Sequence, residues 1–568
     1  MLKAVMTICM CALVASCASH PVASGPVADA IYDNARIWTG SPEQPWAGSL
    51  AVIDGRIVAM GESGALDRWR GASTAYHNLD GRLVTPGFQD SHIHIIYSAA
   101  PQVDLAGAET LGDFQGRVKA FATANPDLPW ILGFGWGYGA FPNQIPHSRY
   151  LDTLVPDRPV FVTSRDGHMS LANTKAMQMA GINENTPDPE NGRIVRADDG
   201  AATGELQESA AYLVRKLIPE PTEEDRYQAL LRNMEKAAAN GITAFHEAGV
   251  LNANIPLFER AVAEGKMRQR VELALRMVSA EDRNVVPAER ARTHAAVGAA
   301  LRERFDGPFV RVRSIKGMLD GTIDATTAYM FENFVGTDTA GIPFWEVDVL
   351  QEVVAIYDKA GFQVILHAIG DRSISEALDT FAHAREVNGV RDSRHRVEHA
   401  EIPRLSDLAR FRNMGVIAST QPMFAYPDTT VLQNFAVLLG HERCQHADNF
   451  ALWDQAGVRQ VFGSDSPVMT MSVLKGIEAA VTRMTESGTP AGGWYPQGRI
   501  SVEAALRHYT SDAAWGVHDE QDRGTLEVGK FADFVVLSDN ILEIDPTQIS
   551  ETQVLKTVMN GNVTFDAL

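Results

Sequence analysis

Eight short runs rich in Val, Ile, Leu and Phe follow one another along the chain, and most end in a polar residue and then Gly or Pro. In order they are "RLVTPGFQDSHIHI", "GITAFHEAG", "RVELALRMV", "RSIKGMLDG", "FQVILHAIGD", "HRVEHAE", "GVIASTQ" and "RQVFGSDSPV". Continuous apolar runs of this length read as strands buried on both faces, as in a parallel sheet. Between them lie stretches of helical periodicity such as "VLQEVVAIYDKAG" and "RSISEALDTFAHAREVNG", each closed by Gly. Strand alternating with helix, eight times over, predicts a (β/α)8 TIM-like barrel whose site lies at the C-terminal ends of the strands. Near the N-terminus "DAIYDNARIWTG", "GSLAVIDGRIVAMG" and "STAYHNLDGRLVTPG" read as short strands broken by Gly and Asp-Gly turns. "GTLEVGKFADFVVLS" and "VLKTVMNGNVTF" do the same near the C-terminus. Neither end suffices alone, so the two are expected to form one discontinuous β-sandwich domain, residues 28–85 and 522–568. The barrel is expected over 86–521, interrupted between its first and second strands by a subdomain at about 97–224.

Length agrees with such inserts, since 568 residues exceed the ~250 that a barrel needs. With 45% hydrophobic residues the chain buries a large core. A formal net charge of −21 argues against binding a nucleic-acid backbone or an anionic membrane surface through a basic patch. The first residues are separate in kind: Lys3 precedes "AVMTICMCALVAS", an apolar core suited to an export signal and shorter than the ~20 residues that span a bilayer. The run ends in "VASC", which resembles the bacterial lipoprotein cleavage box. That resemblance implies a signal over residues 1–16, lipidation of Cys17, a tether over 17–27, and a lipid-anchored place on the periplasmic side of an envelope membrane. An ordinary secretory cleavage near the same point is the alternative. Of four cysteines only Cys444 would then remain, which leaves no internal disulfide framework.

The strand ends carry the candidate chemistry. Alternate side chains on a strand point the same way, so His92 and His94 in "DSHIHI" can converge on one metal ion. Lys316, His367, His399 and Asp465 stand at the ends of the fourth, fifth, sixth and eighth runs, and all four are of metal-binding type. His367 inside "VILHAIG" needs a partner to sit in a core at all.

Taken together, "LVTPGFQDSHIH", "IKGMLDGT", "LHAIGDR", "RVEHAE", "GSDSPV" and "GTLEVGKFADFVVL" closely resemble the amidohydrolase superfamily. Within it they resemble amidohydrolase family 3, of YtcJ-like and N-substituted formamide deformylase-like type, from about residue 28 to the C-terminus. The resemblance implies a binuclear metal hydrolase acting on a C–N bond other than a peptide bond. It assigns His92, His94, a carbamylated Lys316, His367, His399 and Asp465 as ligands of one or two divalent ions, zinc being expected, with carbon dioxide consumed by the lysine. Unmodified lysine is a poor ligand, so Glu247 as the bridge and a mononuclear site stand as competitors at Lys316.

A divalent ion acidifies water towards pKa ~7 and polarises a carbonyl; Asp465 is then the expected base that later hands the proton to the leaving amine. His168 in "SRDGHMSLANTKAM" is a candidate donor to the oxyanion, and reads equally as a packing residue. Trp136 and Tyr138, with Phe141 beside them, are candidate contacts for an apolar substituent, and core packing is their alternative. Arg372 is a further candidate substrate contact, although with Asp371 it also reads as a structural pair that orients its loop. The expected partner is a small amide, N-formyl or N-acyl; association into an oligomer is left open. Two other readings stand beside this one: a mononuclear deaminase or cyclic-amide hydrolase, and an envelope lipoprotein that binds ligands without turnover.

Overall fold

The structure, a computed structural model, describes residues 26–97, 99–278 and 286–568. Cys17 and the expected signal lie outside the described residues. Among the described residues no helix is long and apolar enough to cross a membrane.

Eight parallel strands form the barrel: β1 (Phe88–Ile93), β2 (Ile242–Val250), β3 (Arg270–Arg276), β4 (Val310–Met318), β5 (Gln363–Ala368), β6 (Arg396–His399), β7 (Ile417–Thr420) and β8 (Gln460–Phe462). They stand in sequence order, as right-handed strand–helix–strand units require. The seam between β8 and β1 is closed just beyond β8, where Asp465 N–H donates to His92 O (2.7 Å) and His94 N–H to Ser466 O (2.8 Å). Every residue of β1, β2, β5, β6 and β7 is buried, as strands covered on both faces require.

The barrel interior is nevertheless partly polar. Arg396, 1% exposed, donates to Glu398 (2.8 and 2.9 Å), to Ser91 O (2.7 Å), to Ser419 Oγ (2.9 Å) and to His246 Nδ1 (2.9 Å). Because His246 Nδ1 accepts, its Nε2–H is the donor to Ser314 Oγ at 2.7 Å. A buried guanidinium is tolerated here because its donors meet acceptors from β1, β2, β6 and β7. The layer ties five strands together beneath the site.

The two chain ends share one sheet. Phe534–Leu537 pairs antiparallel with Leu83–Pro86, giving six strands in the order Asn562–Asp566, Val554–Met559, Phe534–Leu537, Leu83–Pro86, Arg36–Trp38, Trp46–Ala47. A second, four-stranded sheet holds Ala30–Asp33, Ser49–Ile53, Arg56–Gly61 and Ala75–Asn78. Buried Arg270 of β3 meets Asp533, just before the strand Phe534–Leu537, at 2.8 Å, joining the six-stranded sheet to the barrel. Between β1 and β2 a further six-stranded sheet is inserted, in which Ile131–Trp136 and Val160–Ser164 run parallel as neighbours. Its hairpin from Val160–Ser164 to Met169–Ala172 turns at Gly167 (φ 79°), a backbone conformation that favours glycine.

Asp358, on the helix Val347–Lys359, accepts from Arg391 Nε (2.7 Å), Asn388 Nδ2 (2.8 Å) and His395 Nε2 (3.1 Å). Burial raises its pKa, but the bonds from His395 and Asn388 and the nearby positive charges win and bring it from 3.8 to about 2. A carboxyl depressed on folding stabilises fully above its unfolded pKa and loses that contribution as pH falls through the folded value. Asp358→Asn is therefore expected to cost about 2 kcal/mol at pH 7. The difference from wild type should shrink between pH 4 and 2, measured by urea unfolding.

Candidate active site

The strand ends deliver six side chains to one place. His92 lies on β1 and His94 directly after it; Lys316 is on β4, His367 on β5, His399 on β6, and Asp465 follows β8. Donor atoms of His92, His399 and Asp465 all lie within 4.8 Å of one another, and all three residues are buried. Asp465 Oδ1 is 3.3 Å from Nε2 of both His92 and His94. Lys316 Nζ is 3.3 Å from His92 Nε2, and the His367 ring centre is 4.5 Å from that of His399. His399 and Asp465 have φ of 71° and 54°, so the chain turns sharply at both strand ends, the kind of conformation that a surrounding structure must hold in place.

The imidazoles are aimed by partners behind them. His92 Nδ1 meets Glu398 Oε2 at 2.5 Å, and since the carboxylate accepts, the Nε2 lone pair faces Asp465 and Lys316. His399 Nδ1 meets Gln421 Oε1 at 2.9 Å, at the end of β7, with the same consequence. His367 Nε2–H donates to Gly321 O at 3.2 Å. Burial, then the charge of Lys316, holds His92 well below the usual histidine range; burial likewise holds His367 and His399 low, so the neutral, ligand form is favoured. For Asp465, burial acts upward, but His92, His94 and Lys316 outweigh it and keep the carboxyl ionised. Burial pushes the Lys316 amine down to about 8 against the pull of Glu398 and Asp465.

One atom tests whether this set suits a cation. Asp465 Oδ1 is buried and has no hydrogen-bond partner, although it faces two imidazole nitrogens. A buried carboxylate oxygen without a donor is costly, and a divalent ion between it and the imidazoles would satisfy all of them. The residues fit a metal. Glu398→Gln should lower stability, because buried Arg396 loses its counter-charge, and in the protein that still folds it should loosen the His92 ring and weaken metal affinity about 10–100-fold, as measured by competition with a chromogenic chelator.

These groups line a cavity of about 880 Å³. His168 reaches it from the insert hairpin, with Nδ1 2.9 Å from Glu208 and its ring 5.5 Å from that of His367. Burial lowers this imidazole, yet the charge and hydrogen bond of Glu208 prevail and raise it to about 9. Phe424 lies parallel to the His399 ring at 5.8 Å on the cavity wall.

Other expected residues lie elsewhere. Trp136 is wholly buried, donates to Val162 O (3.0 Å) and packs edge-on against Tyr138 and Phe141. Tyr138 is turned to Glu205, 2.6 Å away. Both belong to the core of the insert and neither lines the cavity, so packing replaces the expected substrate contact. Arg372 also stands off the cavity: it opens the helix Asp371–Asn388, reaches Glu376 one turn on (3.2 Å) and covers the Tyr329 ring at 4.4 Å. Asp371 accepts from Phe331 N–H instead of pairing with it (2.9 Å). Glu247 is buried behind His94, 4.0 Å away, and accepts from Ile95 N–H at 2.7 Å, which ties it to the backbone. The supports Glu398, Gln421 and Glu208 carry little sequence signal; only the period-two alternation of β6 and β7 places the first two.

The amidohydrolase family model matches residues 76–565. Protein LONG AFTER FAR-RED 3 of Arabidopsis thaliana is 30% identical over 95% of this chain and 92% of its own length. N-substituted formamide deformylase of Arthrobacter pascens is 26% identical over 95% of this chain and 98% of its own. A metal-dependent hydrolase from Pyrococcus furiosus, of uncharacterised activity, superposes with a TM-score of 0.67 at 25% identity, covering 90% of this chain and all of that one.

Proposed function

Since the chain belongs to the amidohydrolase family and has a metal-dependent hydrolase among its structural relatives, we propose that it hydrolyses a C–N bond in a small N-formyl or N-acyl amide. The observation that carries this reading is the unpartnered Asp465 Oδ1 facing His92 and His94 among His367, His399 and Lys316. That a relative of nearly full coverage is an N-substituted formamide deformylase supports the choice of bond.

His92, His94, His367, His399 and Asp465 would hold the metal, with Lys316 as a bridging carbamate where two ions bind. A divalent ion there supplies Lewis acidity, acidifying water and polarising the amide carbonyl. Asp465, held ionised, takes the proton from the attacking water and returns it to the departing nitrogen. His168, held protonated by Glu208, aims a donor into the cavity towards an oxygen that gains negative charge in the transition state. Burial of the Lys316 amine supports carbamylation, which needs the neutral form.

The test is amine release from N-benzylformamide and from a set of N-acyl amines, before and after chelation with dipicolinate. Turnover that vanishes on chelation and returns with zinc is expected. Turnover indifferent to chelation, or no release from any of these amides by the metal-loaded protein, would overturn the reading. We also propose the lipid anchor at Cys17; Cys17→Ser should move the protein from the membrane to the soluble fraction.

A further inference from the structure

The cavity contains two arginines that the chemistry above leaves unused. Arg276 is the last residue of β3, in register with Lys316 of β4, and its Nε donates to Gly249 O at 2.8 Å, which fixes the guanidinium at the C-terminal face. Arg215 comes from the insert, at the end of the helix Tyr212–Arg215. Both line the cavity. Among the described residues neither forms an ion pair, whereas the cavity's other arginine, Arg165, is paired with Asp428. Glu247, the acid whose charge acts on Arg276, accepts from Ile95 N–H and faces His94. Both side chains are solvent-exposed where they line the cavity, and Arg215 feels the charges of Arg276 and Glu220. Two guanidinium forks at one cavity, neither paired with a carboxylate among the described residues, offer donors to an anion, and their planar geometry suits a carboxylate.

The remaining walls say which way a ligand would lie. Phe424, Val431, Phe435 and Ile369 give an apolar surface, and Asp324 and Glu401 line the cavity as well. The arginines draw a carboxylate, while an apolar limb fits Phe424 beside His399. We infer that Arg215 and Arg276 form a carboxylate subsite, so that the substrates are N-acylated amino acids or similar acids with an apolar limb.

This inference rests on the proposed amide hydrolysis at the same cavity, and a binding experiment separates the two. Hippurate and N-methylbenzamide share the benzoyl amide and differ only by a carboxylate. Calorimetric titration of zinc-loaded protein with each should show hippurate bound at least ten-fold more tightly, whether or not either is cleaved. Arg215→Gln and Arg276→Gln should each bring that ratio towards one, and Arg215→Lys should retain part of it. High salt should reduce the preference. Equal affinity for the two compounds, no binding of hippurate, or a preference that survives both Gln variants would overturn the subsite. Absence of cleavage with the preference intact would count against the hydrolysis alone.

Discussion

Asp465→Asn should lower kcat by about 10²–10⁴-fold while most of the metal stays bound, because the amide keeps an oxygen for coordination but cannot take a proton. The geometry makes this a clean substitution. Asp465 Oδ1 accepts no hydrogen bond, so the swap breaks no network through that atom, and the seam bond from Asp465 N–H to His92 O belongs to the backbone. Stability should therefore change little, and a fall in rate would report on chemistry. Metal content and kcat measured on the same preparation decide the matter. A variant with wild-type kcat would place the base elsewhere.

Lys316→Ala should remove at least one equivalent of metal and most of the activity. Lys316 Nζ lies 3.3 Å from His92 Nε2 with Asp465 and Glu398 as its charged neighbours, so as an ammonium it would repel the cations that those groups attract. Carbamylation turns that positive charge into an anion with two oxygens. Its amine, pushed down to about 8, is more often neutral near physiological pH than an exposed lysine. Zinc loading of apo-protein should accordingly speed up with added bicarbonate and slow as pH falls below about 8. Acetate or propionate should restore part of the Lys316→Ala activity by filling the vacated position. If Lys316→Ala binds two equivalents as wild type does, or bicarbonate has no effect on loading, the carbamate is wrong.

The barrel is legible in the sequence because parallel strands covered on both faces are rich in apolar residues, and because most end in chemistry followed by Gly or Pro. His92 and His94 are legible for a narrower reason: the two-residue period of a strand puts them on one side. The seam partners are not, since the meeting of His94 N–H with Ser466 O depends on closure of all eight strands. Trp136 and Tyr138 mislead because a Gly-rich aromatic stretch resembles a pocket wall. In the folded insert these rings find each other and Phe141, and the polar tips find Val162 O and Glu205. Arg372 misleads because the loop after β5 becomes helix at Asp371, which turns the guanidinium towards Glu376 one turn along. Arg215 is invisible for the opposite reason, as no spacing rule links a short helix of an insert to the mouth of a barrel.

Whether these strand ends hold a catalytic cation is decided by anomalous diffraction from crystals of the zinc-loaded protein. An anomalous peak bonded to Asp465 and to imidazole nitrogens from His92 and His399 is expected, with density for a carbamate on Lys316 if a second peak is present. Fully active protein with no anomalous peak among His92, His399 and Asp465, or with its metal bound elsewhere, would contradict that expectation.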